Sequence, residues 1–124
     1  DEVLEALDLT EHADRAAGTL AYGHQKRLGV AIGLATRPAL LLLDEPAAGL
    51  NPDEVDRFAS MLKELRSRFS LSVLIVEHHM RLIMRVCDHL VVLDHGENIA
   101  EGAPDMVRDN PKVIEAYLGV DHAK

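Results

Sequence analysis

The stretch from Ala39 to Val55 reads ALLLLDEPAAGLNPDEV. Four leucines, Leu40 to Leu43, run straight into two carboxylates, Asp44 and Glu45, and then into Pro46. A short unbroken apolar run predicts a strand buried on both faces, the pattern of a parallel sheet. Asn51-Pro52-Asp53-Glu54 predicts a helix start. Asn caps, Pro stands first in the helix, and the acids fall in the first turn, at the positive end of the helix dipole. Val55, Phe58, Met61, Leu62 and Leu65 then share one face of a helix running to about Arg68. Strand, turn and helix follow in order, with two acids at the strand's carboxyl end.

Working outward, LSVLIV (71–76) predicts a second buried-type strand. HHMRLIMRVCD (78–88) predicts a helix with Leu82, Ile83, Val86 and Cys87 inward, and HLVVLD (89–94) a third strand. His95-Gly96 predicts a turn, with ENIAEG (97–102) returning as a hairpin arm. Two short helices are expected near 104–109 and 111–118, the second opening on Asn110-Pro111. Toward the start, residues 1–9 place Val3, Leu4, Leu7 and Leu9 at helical spacing, and the polar residues 10–19 read as a loop or a second short helix. The segment from Gly23, GHQKRLGVAIGLATRP, predicts a helix with Leu28, Ala31, Ile32, Leu34 and Ala35 apolar, ended by Pro38. Gly29 and Gly33 cost it roughly 1 kcal/mol each against Ala, which marks close packing or a helix that depends on its surroundings. Strand alternating with helix argues for an α/β domain with a largely parallel sheet. Ligands in such sheets sit at the carboxyl ends of the strands, where Asp44-Glu45 and Glu77-His78 both fall.

The bulk composition narrows the function. With 124 residues, 48% of them apolar and 27% charged, the chain reads as one soluble, globular domain with a modest core. Its aromatics are Tyr22, Tyr117, Phe58 and Phe69, too few for a base-stacking surface. A formal net charge of −8 repels phosphate backbones, so no nucleic-acid partner is expected. Cys87 is the only cysteine, which leaves no internal disulfide and fits a reducing compartment. No apolar run approaches the ~20 residues of a membrane span, and no signal-peptide pattern opens the chain. Asp1 opens directly into a helical pattern without an initiator Met, so the sequence is expected to be a piece of something longer.

Three groups of residues carry candidate chemistry. A carboxylate at a strand end can hold a Mg²⁺ that bridges nucleotide phosphates, and a neighbouring carboxylate can orient or activate a water. Asp44 and Glu45 suit those roles; the plainer reading is a strand end with solvated acids. His78 follows the second strand as Asp44 follows the first, and a His there can hydrogen-bond a γ-phosphate and the water-activating Glu. A lone His is more often a surface or core-edge residue. A metal cluster of His78, His79, His89 and His95 is a weaker third reading, since no spacing here matches a structural zinc pattern. In LAYGHQKRLGVAIG (20–33), a Gly just before a helix start exposes N–H groups that favour an anion; the plainer reading is a loop and an amphipathic helix.

Taken in order, these motifs resemble the C-terminal half of an ABC-transporter ATPase subunit, over essentially the whole chain. Leu20-Ala21-Tyr22-Gly23-His24 stands where that family has its Leu-Ser-Gly-Gly-Gln signature. Leu40 to Asp44 matches Walker B, Glu45 the catalytic carboxylate, Ala48-Gly49-Leu50-Asn51 the D-loop, and His78 the switch histidine. Tyr-Gly in the signature, Ala-Gly-Leu-Asn-Pro, Val-Glu-His and the ending Asn-Pro-Lys-Val-Ile-Glu-Ala-Tyr-Leu-Gly are similar to the branched-chain amino acid uptake type, in the subunit with Glu-His at the switch. Ala21 for Ser and Asn51 for Asp follow that subfamily, while His24 stands for Gln and Ile32 for Arg.

The resemblance implies the C-terminal part of a P-loop NTPase domain: residues 1–36 end a helical subdomain, 37–102 form core strands, and 103–124 form short helices. It implies ATP and Mg²⁺ as cofactors, Asp44 on the metal, Glu45 and His78 in catalysis, and Ala21, Tyr22, Gly23, His24 and Asn51 at the nucleotide. It implies a second ATPase subunit and transmembrane permease subunits as partners, at the cytoplasmic face of the membrane. Related exporters of lipopolysaccharide and importers of urea share these motifs. A non-catalytic interaction module, docking through the Gly23 helix, is the reading from another class.

A Walker A loop, Gly-x-x-x-x-Gly-Lys-Ser/Thr, holds the phosphates in such proteins. The lysines here, Lys26, Lys63, Lys112 and Lys124, none of them after a Gly, do not form one. That cradle, with the adenine-stacking aromatic and the Gln-loop, is expected before Asp1. The 124-residue chain by itself is therefore expected to bind ATP weakly or not at all. Titration calorimetry checks this, and micromolar binding would contradict it.

Overall fold

The computed structural model describes residues 1–118. The chain forms two compact units, one from Asp1 to Leu82 and one from Ile83 onward. In the first, helix α1 (Glu2–Ala6) leads through two 3₁₀ turns, Thr10–His12 and Ala17–Thr19, to α2 (Tyr22–Ala35). Strand β1 (Leu40–Asp44), helix α3 (Pro52–Phe69) and strand β2 (Ser72–Val76) follow, and then α4 (Met80–Val86). Among the described residues no helix is long and apolar enough to cross a membrane.

Helix α3 forms where the sequence predicts it. The Asn51 side chain accepts the Glu54 N–H, and the Glu54 side chain accepts the Asn51 N–H, each at 2.9 Å. This reciprocal cap satisfies two donors that the helix itself leaves unpaired. Val55, Phe58, Ala59, Met61, Leu62 and Leu65 form its buried face. The core they enter includes Leu7 and Leu9 beyond α1 and Leu34 of α2, all but fully enclosed. Helix α1 packs on α2 and α3, and α2 packs on β1. At the last of these contacts Gly33 stands so close that a Cβ would lie 2.9 Å from Leu41 Cδ1, so its cost in helix propensity accompanies close packing.

Two expectations about α2 change. Its first residue is Tyr22 and its N-cap is Ala21, so Gly23 lies inside the first turn instead of before it. Ala21 has no side-chain oxygen with which to cap. The buried positions are Val30, Ala31 and Leu34, while Ile32 is exposed. At 3.6 residues per turn, Ile32 lies about 200° round the helix from Val30.

Strands β1 and β2 pair in parallel, Leu40 with Ser72 through Asp44 with Val76. Their burial is not two-sided. Leu41 is buried at 6%, but Leu40, Leu42, Leu74 and Val76 stand 52%, 65%, 56% and 60% exposed. Alternation sends successive side chains to opposite faces, and in the described residues only one of those faces is covered.

In the second unit β3 (Leu90–Asp94) and β4 (Glu97–Gly102) form an antiparallel hairpin with an irregularity between Val92 and Leu93. His95 and Gly96 supply the turn at φ 48° and 80°, the positive pair that a two-residue hairpin loop of type I′ requires. β3 thus pairs with the hairpin arm expected at 97–102. The described strands form two separate two-stranded sheets. Helix α5 (Pro104–Arg108) and α6 (Pro111–Val113) follow, the latter capped by Asn110 Oδ1 on the Lys112 N–H at 2.9 Å, with a π-helical turn over Ile114–Leu118. Leu90, Val107 and Val113 form the core here, packed on by Ile83, Cys87, Val92 and Ile99. The Tyr117 hydroxyl donates to the Leu93 carbonyl. Residues 119–124, the end of the segment expected to hold short helices, lie outside the described residues.

Burying one aliphatic side chain is worth about 1.5–3 kcal/mol, and four stand open on the face of β1 and β2. The chain produced alone is expected to bind a hydrophobic dye and to self-associate. Replacing Leu42 and Leu74 by Lys should reduce both effects in sedimentation and fluorescence. A wild-type chain that stays strictly monomeric and dye-free would contradict this.

Candidate active site

The parallel ladder sets the site. Asp44 ends β1 opposite Val76, and the Glu45 N–H donates to the Val76 carbonyl at 2.7 Å. The two chains therefore leave the sheet side by side, one carrying Glu45 and the other His78. His78 Nδ1 lies 3.4 Å from Glu45 Oε1, and both side chains are more than half exposed. Asp44 is exposed one residue earlier, on the same side of the strand as Leu40 and Leu42. Glu45 itself takes a left-handed backbone, φ 46°, which turns its side chain off the strand's alternation.

Glu77 sits between these groups with its side chain only 1% exposed. It accepts N–H bonds from Ala47 at 3.1 Å, His78 at 3.0 Å and His79 at 3.2 Å. Sequence reading placed it at the strand end without a role. A signal was available, because Glu77 shares the parity of Val73 and Ile75, the less exposed side of β2. An acid at an inward position must find donors.

The remaining candidates gather at the start of α2. The Tyr22 hydroxyl donates to the Ala48 carbonyl at 3.0 Å, and its ring lies against Gly49. Gly49 is required twice. Its φ is +79°, and a Cβ there would fall 2.8 Å from Tyr22 Cε1. Lys26 Nζ lies 5.5 Å from the centre of the same ring. Gly23 faces Glu54 of the α3 cap, and Ala21, Gly23 and His24 line a cleft of ≈310 Å³ with Leu50, Glu54 and Phe58. His24 packs on His12 with ring centres 4.6 Å apart. Asn51 is committed to capping α3. Two groups of predicted residues result. Asp44, Glu45 and His78 share the sheet edge, and Ala21 to His24 meet the Ala48–Asn51 segment.

A third tie was invisible in the sequence. Arg81, at the start of α4, makes a bidentate pair with Asp56 of α3, at 2.8 and 2.6 Å. The hydrogen bond to Asp56, and after it the charge of Asp56, raise the Arg81 pKa above its ordinary value. The guanidinium is charged at any working pH in either case. The pair braces the segment after His78 on the helix that follows Asn51.

Among the described residues no three His, Cys, Asp or Glu side chains converge as a metal cage, so the four-histidine reading finds no support there. A Mg²⁺ carried by nucleotide asks less, since one or two carboxylates with phosphates and water complete its shell. An exposed Asp44 beside Glu45 fits that demand.

Known proteins match this chain in sequence and in fold. A family model described as ABC transporter matches residues 1–48, and one described as branched-chain amino acid ATP-binding cassette transporter matches residues 97–123. The chain belongs to the ABC-transporter ATP-binding family. Within that family it is similar to the high-affinity branched-chain amino acid transport ATP-binding protein BraF of Pseudomonas aeruginosa, 53% identical over 94% of this chain and 46% of the relative. LivG of Escherichia coli, which carries the same description, is 47% identical over the same shares. The crystal structure of an ATP-binding cassette of an ABC transporter in its ADP conformation superposes with a TM-score of 0.85 at 34% identity, over 95% of this chain and 48% of that one. The chain thus spans about half the length of the relatives it matches.

The Tyr22–Gly49 contact can be tested in denaturant. Gly49→Ala is expected to cost about 1–2 kcal/mol from the left-handed backbone and more from the ring contact. Adding Tyr22→Ala should relieve the ring part and leave the backbone part, so the two changes are non-additive. An additive double mutant would mean the contact is not made.

Proposed function

We propose that this chain is the signature, Walker B and switch half of an ATP-hydrolysing subunit that drives an importer of branched-chain amino acids. The observation that carries the hydrolytic reading is the 3.4 Å approach of His78 Nδ1 to Glu45 Oε1 at the carboxyl edge of a parallel pair, with Asp44 beside it. The solute rests on the family match at residues 97–123 and on the branched-chain amino acid transport for which BraF and LivG are named.

Magnesium-bound ATP supplies the electrophilic γ-phosphoryl group and the charge neutralisation that its transfer needs. Asp44 would hold the metal, directly or through water. Glu45 accepts a hydrogen bond from the attacking water and polarises it toward phosphorus. His78 orients the Glu45 carboxylate through Nδ1, which leaves Nε2 to face the γ-phosphate. Ala21, Tyr22, Gly23 and His24, at the first turn of α2, present backbone N–H groups to the nucleotide held by a second subunit. Asn51 lies in the segment that would meet that subunit. The working assembly is a pair of ATPase subunits on transmembrane permease subunits, peripheral at the cytoplasmic face of the membrane. In that pair, Ala21 to His24 of one subunit would close over the nucleotide of the other, and opening after turnover would move the permease.

Glu45→Gln in the intact subunit is expected to retain ATP binding and to lower kcat by about 10²- to 10⁴-fold. Steady-state phosphate release together with nucleotide binding checks this. Retained turnover would move the water-polarising role to another residue.

A further inference from the structure

Glu77 has no part in the roles assigned above, yet it is almost wholly enclosed at the edge where those roles are played. Burying a carboxylate is costly unless donors meet it, and three do. Oε2 accepts the Ala47 N–H at 3.1 Å, and Oε1 accepts the His78 and His79 N–H groups at 3.0 and 3.2 Å. Ala47 lies two residues past Glu45, and His78 follows Glu77 directly. One side chain therefore fastens the turn that carries the proposed water-polarising carboxylate to the turn that carries the imidazole beside it. Among the described residues the backbone bond between these two exits is from Glu45 N to the Val76 carbonyl, on the sheet itself. Beyond that point Glu77 makes the link. The His78 ring also stands between two carboxylates, with Nδ1 3.4 Å from Glu45 Oε1 and 3.6 Å from Glu77 Oε1.

We propose that Glu77 is a positioning residue for hydrolysis: its carboxylate locks the turn after β1 and the turn after β2 into one frame and so fixes the Glu45–His78 separation. The proposal rests on the ATPase reading above. Glu77 acts through the backbone of Ala47, His78 and His79 and meets no substrate itself. The arrangement requires a group that only accepts. A carboxylate has two such oxygens, whereas the amide of Gln replaces one of them with an NH₂ that confronts an N–H donor. Glu77→Gln therefore keeps the shape and opens one side of the clamp.

The test uses the intact ATPase subunit with Glu77→Gln. Expected is a fall in kcat of about 10- to 100-fold, the size of effect that a small misplacement of reacting groups produces, with KM for ATP unchanged. Amide hydrogen exchange should quicken on the side that meets the NH₂, at Ala47 or at His78 and His79, and stay constant at Val55, whose N–H bonds the Asn51 carbonyl at 2.9 Å. If Glu77→Gln fails to fold, Glu77→Asp, which keeps an acceptor-only group on a shorter stem, is measured in the same way. Unchanged kcat, or exchange that quickens equally at Val55, overturns the positioning role and leaves Glu77 a general stabiliser. Unchanged exchange at the three amides of an active subunit overturns the clamp while the ATPase reading stands. An unsubstituted subunit without ATPase activity overturns that reading, and the positioning role falls with it.

Discussion

The in-register parallel pairing of β1 with β2 is the constraint from which the rest of the site follows. It sets Asp44 opposite Val76 and lets the backbone of Glu45 bond the Val76 carbonyl, so two chain segments emerge together. A strand has a period of two, so a slip of one residue would exchange its faces. Glu77 would then turn to solvent, leaving the Ala47 N–H without its partner, and His78 would turn inward. The apolar face holds the register, and the buried carboxylate depends on it. Chemistry at this edge is therefore fixed by packing several residues away.

The second surface is built differently. Tyr22, Gly49 and the cap of α3 tie the first turn of α2 to the segment between Glu45 and Asn51 by one hydrogen bond, one ring contact and one reciprocal cap. Arg81 and Asp56 then join α3 to the start of α4. Helix α3 is thus the shared support. Its N-terminus meets the first turn of α2 through Glu54, its second turn holds the start of α4 through Asp56, and its buried face anchors it in the core. A displacement at either proposed nucleotide surface has a short physical path to the other.

What the sequence disclosed was mainly local. The Asn51 cap, the His95-Gly96 turn and the strand–helix alternation are written in neighbouring residues, and the structure keeps them. Glu45 and His78 were legible because each follows an apolar strand at its carboxyl end. The departures came from information at a distance. Four apolar residues in a row imply cover on both faces, yet Leu40 and Leu42 are open, because cover must come from other elements. β3 pairs with the hairpin arm expected from the His95-Gly96 turn, and no described strand joins it to β1 and β2. The start of α2 was misplaced because Ala21 carries no capping side chain to read. The bond from Glu77 to Ala47 spans thirty residues, and only the parity of β2 hints at it.

Glu45 carries one more consequence. Its left-handed backbone, φ 46°, disfavours residues with a Cβ by about 1 kcal/mol, asparagine and aspartate least, and suits glycine. Stability alone would push this position toward residues that cannot polarise water. Asp8, Arg37, Ser70 and His95 share that conformation, so the cost is one the fold tolerates elsewhere, and at Glu45 the proposed chemistry would offset it. A library selected purely for thermal stability should therefore drift at this residue, whose side chain the proposed chemistry can least spare, as readily as at Arg37 or Ser70. The frequency of Glu at this site would then report, codon by codon, whether a population still selects for turnover or merely for a folded chain.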